Sequence, residues 1–73
     1  MATASLITEI GIAAGDIWHQ LDHKGSCTLE QLSASIKKPK DLLLMSLGWL
    51  AREGHVIVEG PETGHRSSLA PRR

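Results

Sequence analysis

The sequence predicts one small α+β domain that is mainly helical. Two stretches, residues 5–24 and 39–53, carry apolar residues at the three- and four-residue spacing of amphipathic helices. After Gly54 come a β-branched run and a turn rich in glycine and proline, which is typical of a β-hairpin. A chain of 73 residues holds at most one domain. We assign residues 1–69 to it and expect residues 70–73 to be a disordered tail.

The first predicted helix runs from about Ser5 to Lys24. Its inward face collects the residues at helical spacing, namely Leu6, Ile7, Ile10, Ala14, Ile17, Trp18 and Leu21. Gly11 and Gly15 lie at the margin of that face, and each weakens the helix by about 1 kcal/mol relative to alanine. We therefore expect another helix to approach closely at these two glycines.

The second and third helices are predicted from their boundary residues. After a short extended link, Thr28 and Gln31 fit the capping box of a helix N-terminus. Pro39 ends this second helix, because the residue before a proline avoids helical angles, and it suits the first turn of the next one. The third helix then runs from Pro39 to Glu53. The hairpin follows, with strands at 55–59 and 65–69 around a turn at 60–64.

This order of helix, short strand, helix, helix and β-hairpin wing is the layout of a winged helix-turn-helix domain. Three strings, Ile10-Gly11, Ala14-Gly15-Asp16-Ile17-Trp18 and Leu47–Glu53, also resemble a family of small bacterial winged helix-turn-helix proteins catalogued as a domain of unknown function. The resemblance covers roughly residues 8–60. It implies the winged helix-turn-helix fold and favours DNA binding of the transcription-regulator type.

The outer face of the predicted third helix is poorly suited to reading bases. With Leu43 at the centre of the core side, the opposite side carries Asp41, Leu44, Met45, Gly48 and Arg52. A helix in the major groove needs polar side chains near its N-terminus, and the one base-reading candidate, Arg52, lies at the other end. We expect Leu44, Met45 and Gly48 to form a self-association or protein-docking surface, unless residues 1–6 fold over them.

Local charge supports the first hypothesis, contact with double-stranded DNA, to which the protein-docking surface is the alternative. The whole chain has a formal charge of zero, but residues 1–36 carry −3 and residues 37–73 carry +3. Lys37, Lys38 and Lys40 cluster at the turn before the third helix, where they could hold phosphates together with Arg66 of the wing. The alternative is a solvated turn. Nucleic acid, a second copy and another protein thus all stay open as partners.

We predict no metal, no cofactor and no enzymatic activity. His19 and His23 are four residues apart, with Asp16 nearby, but the four-ligand set of a structural zinc site is missing. We interpret them as surface residues. The sequence has no glycine-rich phosphate loop and no GxSxG motif, and the only thiol, Cys27, is expected to pack in a short strand.

The remaining aromatic and histidine residues are assigned to structure. Trp18 and Trp49, the only aromatic residues of the Phe, Tyr and Trp class, are predicted to be core anchors between the first and third helices. His55 and His65 flank the hairpin and are expected to be cross-strand neighbours.

Composition predicts a cytoplasmic protein. The longest strongly apolar stretch, residues 42–51, is about half of what a bilayer requires. The first nine residues lack the basic region of a signal peptide, and a single cysteine cannot form an internal disulfide.

Overall fold

The computed structural model describes residues 5–71. Its elements are α1 (Leu6–Lys24), β1 (Ser26–Cys27), α2 (Leu29–Ile36), α3 (Lys40–Arg52), β2 (Val56–Val58), a 3₁₀ turn (Pro61–Thr63) and β3 (Ser67–Leu69). The predicted α+β fold and its element order are confirmed, and α1, α3 and both hairpin strands begin and end within two residues of their predicted bounds.

Both ends of α1 are capped as its sequence indicates. Before the helix, the Ser5 hydroxyl accepts a hydrogen bond from the amide of Thr8 at 3.1 Å. After it, Gly25 adopts a φ of 94° and its amide donates to the carbonyl of Leu21 at 2.8 Å. A positive φ favours glycine, so this residue fixes where the helix ends.

The turn between α2 and α3 is short and tightly held. The capping box that starts α2 has both of its bonds, from the Thr28 amide to the Gln31 side chain and from the Gln31 amide to the Thr28 hydroxyl. At the other end, Lys37 takes the left-handed conformation, with a φ of 64°, and its amide donates to the carbonyl of Ser33. Only Lys37, Lys38 and Pro39 separate the two helices, which places α3 directly against α2.

The three short strands form one antiparallel sheet in the order β1-β3-β2. Ser67 of β3 is paired with Cys27 on one side and with Val58 on the other. The last strand of the wing therefore lies in the middle of the sheet. Because β1 joins α1 to α2, this pairing attaches the wing to the helical body.

A single apolar core joins the three helices to the sheet. Its buried members are Ala13, Ala14, Ile17, Leu21, Cys27, Leu32, Leu42, Leu43, Leu47, Leu50 and Val56. On α3 the buried residues fall on one stripe centred near Leu43 and Leu50, as predicted. Ser46 lies within that stripe and is fully buried, and its hydroxyl donates to the carbonyl of Leu42 at 2.8 Å.

The prediction that three apolar residues face the core, namely Leu6, Ile7 and Trp49, is wrong. Leu6 and Ile7 are exposed, Ile7 to 81%, because the first turn of α1 extends beyond the core, which Ile10 is the first residue of the helix to contact. Trp49 is 49% exposed, so it is not a core anchor. It lies at the edge of the buried stripe on α3, where the facing residues of α1 are glycines that provide no side chain to cover it. Trp18 is half-buried.

The predicted proximity of His55 and His65 is also wrong. The carbonyl of His55 accepts a hydrogen bond from the amide of Ala70, at the open end of the hairpin. The amide of His65 donates instead to the carbonyl of Gly60, beside the 3₁₀ turn at the wing tip. The two histidines thus lie at opposite ends of the hairpin, because the strand register pairs Val56 with Leu69.

Candidate functional site

The outer face of α3 consists of Asp41, Leu44, Met45, Gly48 and Arg52. Leu44 is 39% exposed and Met45 is 40% exposed. A Cβ added at Gly48 would meet nothing within 4 Å among the described residues. The side chain of Asp41 accepts a hydrogen bond from the amide of Leu42 at the start of the helix. The structure therefore places the predicted docking residues Leu44, Met45 and Gly48 on one accessible face, beside the charged Asp41 and Arg52.

The alternative prediction for this face was that residues 1–6 fold over it. Leu6 is the first residue of α1 and is half-exposed. Residues 1–4 lie outside the described residues, so the prediction that they fold over α3 stays a prediction.

Two of the lysines predicted to contact phosphate face carboxylates. The Nζ atom of Lys40 lies 2.8 Å from a carboxylate oxygen of Glu30, and that of Lys38 lies 3.9 Å from one of Asp16. Such exposed pairs add little stability, about 0–1 kcal/mol each. They do reduce the positive potential that a phosphate would meet at the α2–α3 turn, since each lysine has a negative neighbour.

The other predicted phosphate contacts are Lys37, Arg66 and Arg52. Lys37 and Arg66 are exposed, and within residues 5–71 neither has a carboxylate within 4.0 Å. Arg52 is the last residue of α3, twelve positions after Lys40, which is about 18 Å along a helix. The structure thus groups the three lysines but not Arg52.

A groove between α1 and α3 was not predicted from the sequence. It has a volume of about 310 Å³ and is lined by Gly11, Ala14, Gly15, Trp18, Trp49, Leu50 and His55. We call this the α1–α3 groove. The two tryptophans stand at its sides, and the small residues of α1 leave it open. The signal in the sequence was the pair Gly11 and Gly15, but the close helix contact expected there is not made, since a Cβ added at either position would meet no described atom within 4 Å.

A second cavity, of about 480 Å³, adjoins this groove and shares Trp18 and His55 with it. It extends past Asp22 to Ala70 and Pro71. Residues 70 and 71 are thus placed beside the helical body, while residues 72 and 73 lie outside the described part. The division into a domain at 1–69 and a disordered tail stays a prediction.

The family comparison agrees with this geometry. A family model described as a winged helix-turn-helix domain (DUF2582) matches residues 1–68. The chain belongs to this family. No curated protein and no solved structure matches the chain. Membership accounts for the helix-turn-helix pair α2–α3 and the hairpin wing, and it is compatible with a DNA-binding module. The family is one of unknown function, so the roles of individual residues must be argued from the structure.

The residues of α1 that were weighed as metal ligands are His19, His23 and Asp16. The His19 ring packs edge-on against the indole of Trp18, with 5.9 Å between ring centroids. Asp16, the third residue weighed as a ligand, faces Lys38 instead. Over residues 5–71, no three side chains of the His, Cys, Asp and Glu types are grouped so as to hold a metal ion. Within the same range, no helix is both long and apolar enough to cross a membrane.

Proposed function

We propose that this domain is a non-enzymatic binding module that docks a protein through the outer face of α3. The observation that carries the proposal is the exposure of Leu44 and Met45 on the helix that would enter the major groove in a DNA-binding member of this fold. Exposed apolar side chains that lie together mark contact sites on small proteins. We place the module in the cytoplasm, since its single cysteine offers no internal disulfide.

Charge favours a protein over DNA as the ligand of this face. Asp41 lies in the first turn of α3, the part of a recognition helix that comes nearest to the nucleic acid. Glu30 and Asp16 accompany Lys40 and Lys38, and a phosphate would have to compete with both carboxylates. A protein partner that contacts Leu44 and Met45 would not have to displace either carboxylate from its lysine.

DNA binding is the second candidate function. It is supported by the helix-turn-helix pair with its wing, and by Lys37 and Arg66, which are exposed on these elements. In this alternative, Lys37, Lys38, Lys40 and Arg66 contact phosphates and Arg52 reaches further along the duplex. Contacts of this kind position a protein on DNA without reading its sequence.

An NMR titration with mixed-sequence duplex DNA separates the two candidates. If the outer face docks protein, backbone amide signals of residues 37–45 and 60–68 should not shift at low or moderate salt. Salt-sensitive shifts confined to those residues would overturn the proposal in favour of DNA. The variant pair Lys37→Glu and Arg66→Glu would then abolish the shifts, whereas Lys24→Glu at the end of α1 would leave them unchanged.

Site-specific photo-cross-linking in the cells that produce the protein tests the protein partner directly. A photoreactive residue at position 44 should give a discrete cross-linked protein band that disappears when Met45→Glu is added. The control is a photoreactive residue at Ile12, an exposed apolar position on α1. Equal cross-linking from positions 12 and 44, or persistence of the band in Met45→Glu, would contradict docking through this face.

A further inference from the structure

Two lysines at the α2–α3 turn are paired with carboxylates of the same chain. Lys40 begins α3, and its Nζ atom lies 2.8 Å from a carboxylate oxygen of Glu30, the second residue of α2. The Nζ atom of Lys38, in the turn itself, lies 3.9 Å from a carboxylate oxygen of Asp16 on α1. The two carboxylates come from two different helices, so it is the tertiary structure that brings each of them to a lysine.

The formal charge around this turn is balanced as a result. Three lysines lie in the turn and at the start of α3, and three carboxylates accompany them, two through the ion pairs and one in the first turn of α3. The six residues are Lys37, Lys38, Lys40, Asp16, Glu30 and Asp41. Positive charge is therefore cancelled where the N-terminus of a recognition helix would approach DNA.

Stability gives little reason for these ion pairs. Their side chains are partly exposed, those of Asp16 and Glu30 to 47% and 74%. Exposed ion pairs contribute little to the free energy of unfolding, because water screens the charges and the long side chains lose freedom. An incoming phosphate is affected twice, since it loses the attraction of a lysine and meets the repulsion of a carboxylate at the same place. Repulsive contacts of this kind suppress the wrong partners of a binding surface.

We infer that Asp16 and Glu30 are specificity-determining residues that disfavour nucleic acid by pairing with Lys38 and Lys40. The inference rests on the proposed function and deepens it, because it assigns the preference for protein over DNA to two side chains. The place of the two carboxylates is what matters, since neutralising them frees two lysines on the helix-turn-helix pair. The ligand that they exclude is the phosphate backbone, so the effect does not depend on the DNA sequence.

Fluorescence anisotropy of a labelled, mixed-sequence duplex, titrated with the full chain, tests the inference. The double variant Asp16→Asn, Glu30→Gln should bind the duplex at least tenfold more tightly than the wild type does at about 50 mM salt. Two freed lysines correspond to about two additional phosphate contacts, so this binding should weaken roughly tenfold when the salt is raised to about 200 mM. Replacing Lys38 and Lys40 with glutamine in the same variant should remove the gain.

The matched control is the double variant Glu9→Gln, Asp22→Asn. It has the same net charge and the same two kinds of substitution, since Glu9 lies in the first turn of α1 and Asp22 lies six residues after Asp16 on that helix. Neither carboxylate has a basic side chain within 4.0 Å among residues 5–71. The control should therefore bind the duplex no more tightly than the wild type. Both double variants should keep the wild-type circular dichroism spectrum and Tm, because exposed carboxylates add little to stability.

Each result decides for or against the inference. A gain in Asp16→Asn, Glu30→Gln that the control lacks and that requires Lys38 and Lys40 would support it. An equal gain in the control, or a gain that persists without the two lysines, would overturn it. Where neither the wild type nor the double variant binds the duplex, the inference fails and the proposed function stands. A wild type whose amide signals at 37–45 shift with duplex DNA would overturn the proposed function, and the ratio of the two affinities would still decide the inference.

Discussion

Two leucines three residues apart on α3 should respond very differently to truncation. Leu47 is 1% exposed and belongs to the core, whereas Leu44 is 39% exposed on the outer face. Leu47→Ala removes three buried carbons, about 2.4 kcal/mol of transfer free energy at 0.8 kcal/mol each. The enclosed cavity left behind adds a further cost, so we expect a loss of about 3–4 kcal/mol in the free energy of unfolding.

Leu44→Ala is the matched control. About 60% of the Leu44 side chain is buried, so its truncation loses about that share of the transfer free energy. The space left by the missing atoms is open to solvent, so no cavity forms. We expect a loss of about 1 kcal/mol. A domain of 73 residues has a total stability on the order of 4–11 kcal/mol. The first variant should therefore lose a large part of its stability and the second should stay well folded.

Urea unfolding followed by circular dichroism at 222 nm measures both losses. The free energies of unfolding of the two variants should differ by about 2–3 kcal/mol, which in a thermal melt corresponds to roughly 10–15 °C in Tm. The experiment is best done at a few micromolar protein, because self-association would make the apparent stability depend on concentration. A difference below about 0.5 kcal/mol would refute the orientation of α3 and, with it, the exposed face on which the proposed function rests.

Three further measurements check local features of the fold. Lys37→Gly should raise the free energy of unfolding by about 0.5–1 kcal/mol, because Lys37 holds a left-handed conformation that glycine adopts without strain; a decrease would contradict that conformation. Thr28→Ala should cost about 1 kcal/mol in thermal unfolding through loss of the capping box, and an unchanged Tm would argue against the cap. The buried thiol of Cys27 should react with Ellman's reagent only as fast as the protein unfolds, and rapid labelling of the native protein would disprove its burial.

The boundaries of the helices could be predicted because their causes are local. The capping box at Thr28 and Gln31 and the proline at 39 act within a few residues of themselves, through backbone angles and short hydrogen bonds. The same holds for Gly25, whose positive φ ends α1. Local signals of this kind also predicted the order of the elements.

The exposure of Trp49 could not be predicted in this way. Helical spacing places it at the edge of the buried stripe on α3, and its burial depends on what stands opposite on α1. The residues there are Gly11 and Gly15, which provide no side chain to cover it. The ion pairs of Lys38 and Lys40 were missed for a similar reason, since Asp16 lies on another helix and Glu30 is ten residues away in the chain.

The sequence by itself determined the element order, the winged helix-turn-helix fold and the apolar character of the outer face of α3, because periodicity and boundary residues act over short distances. Only the tertiary structure decided which apolar residues are left uncovered. Whether Ile7 or Trp49 is buried depends on the lengths and neighbouring side chains of helices that are distant in sequence. The α1–α3 groove exists only where those helices meet.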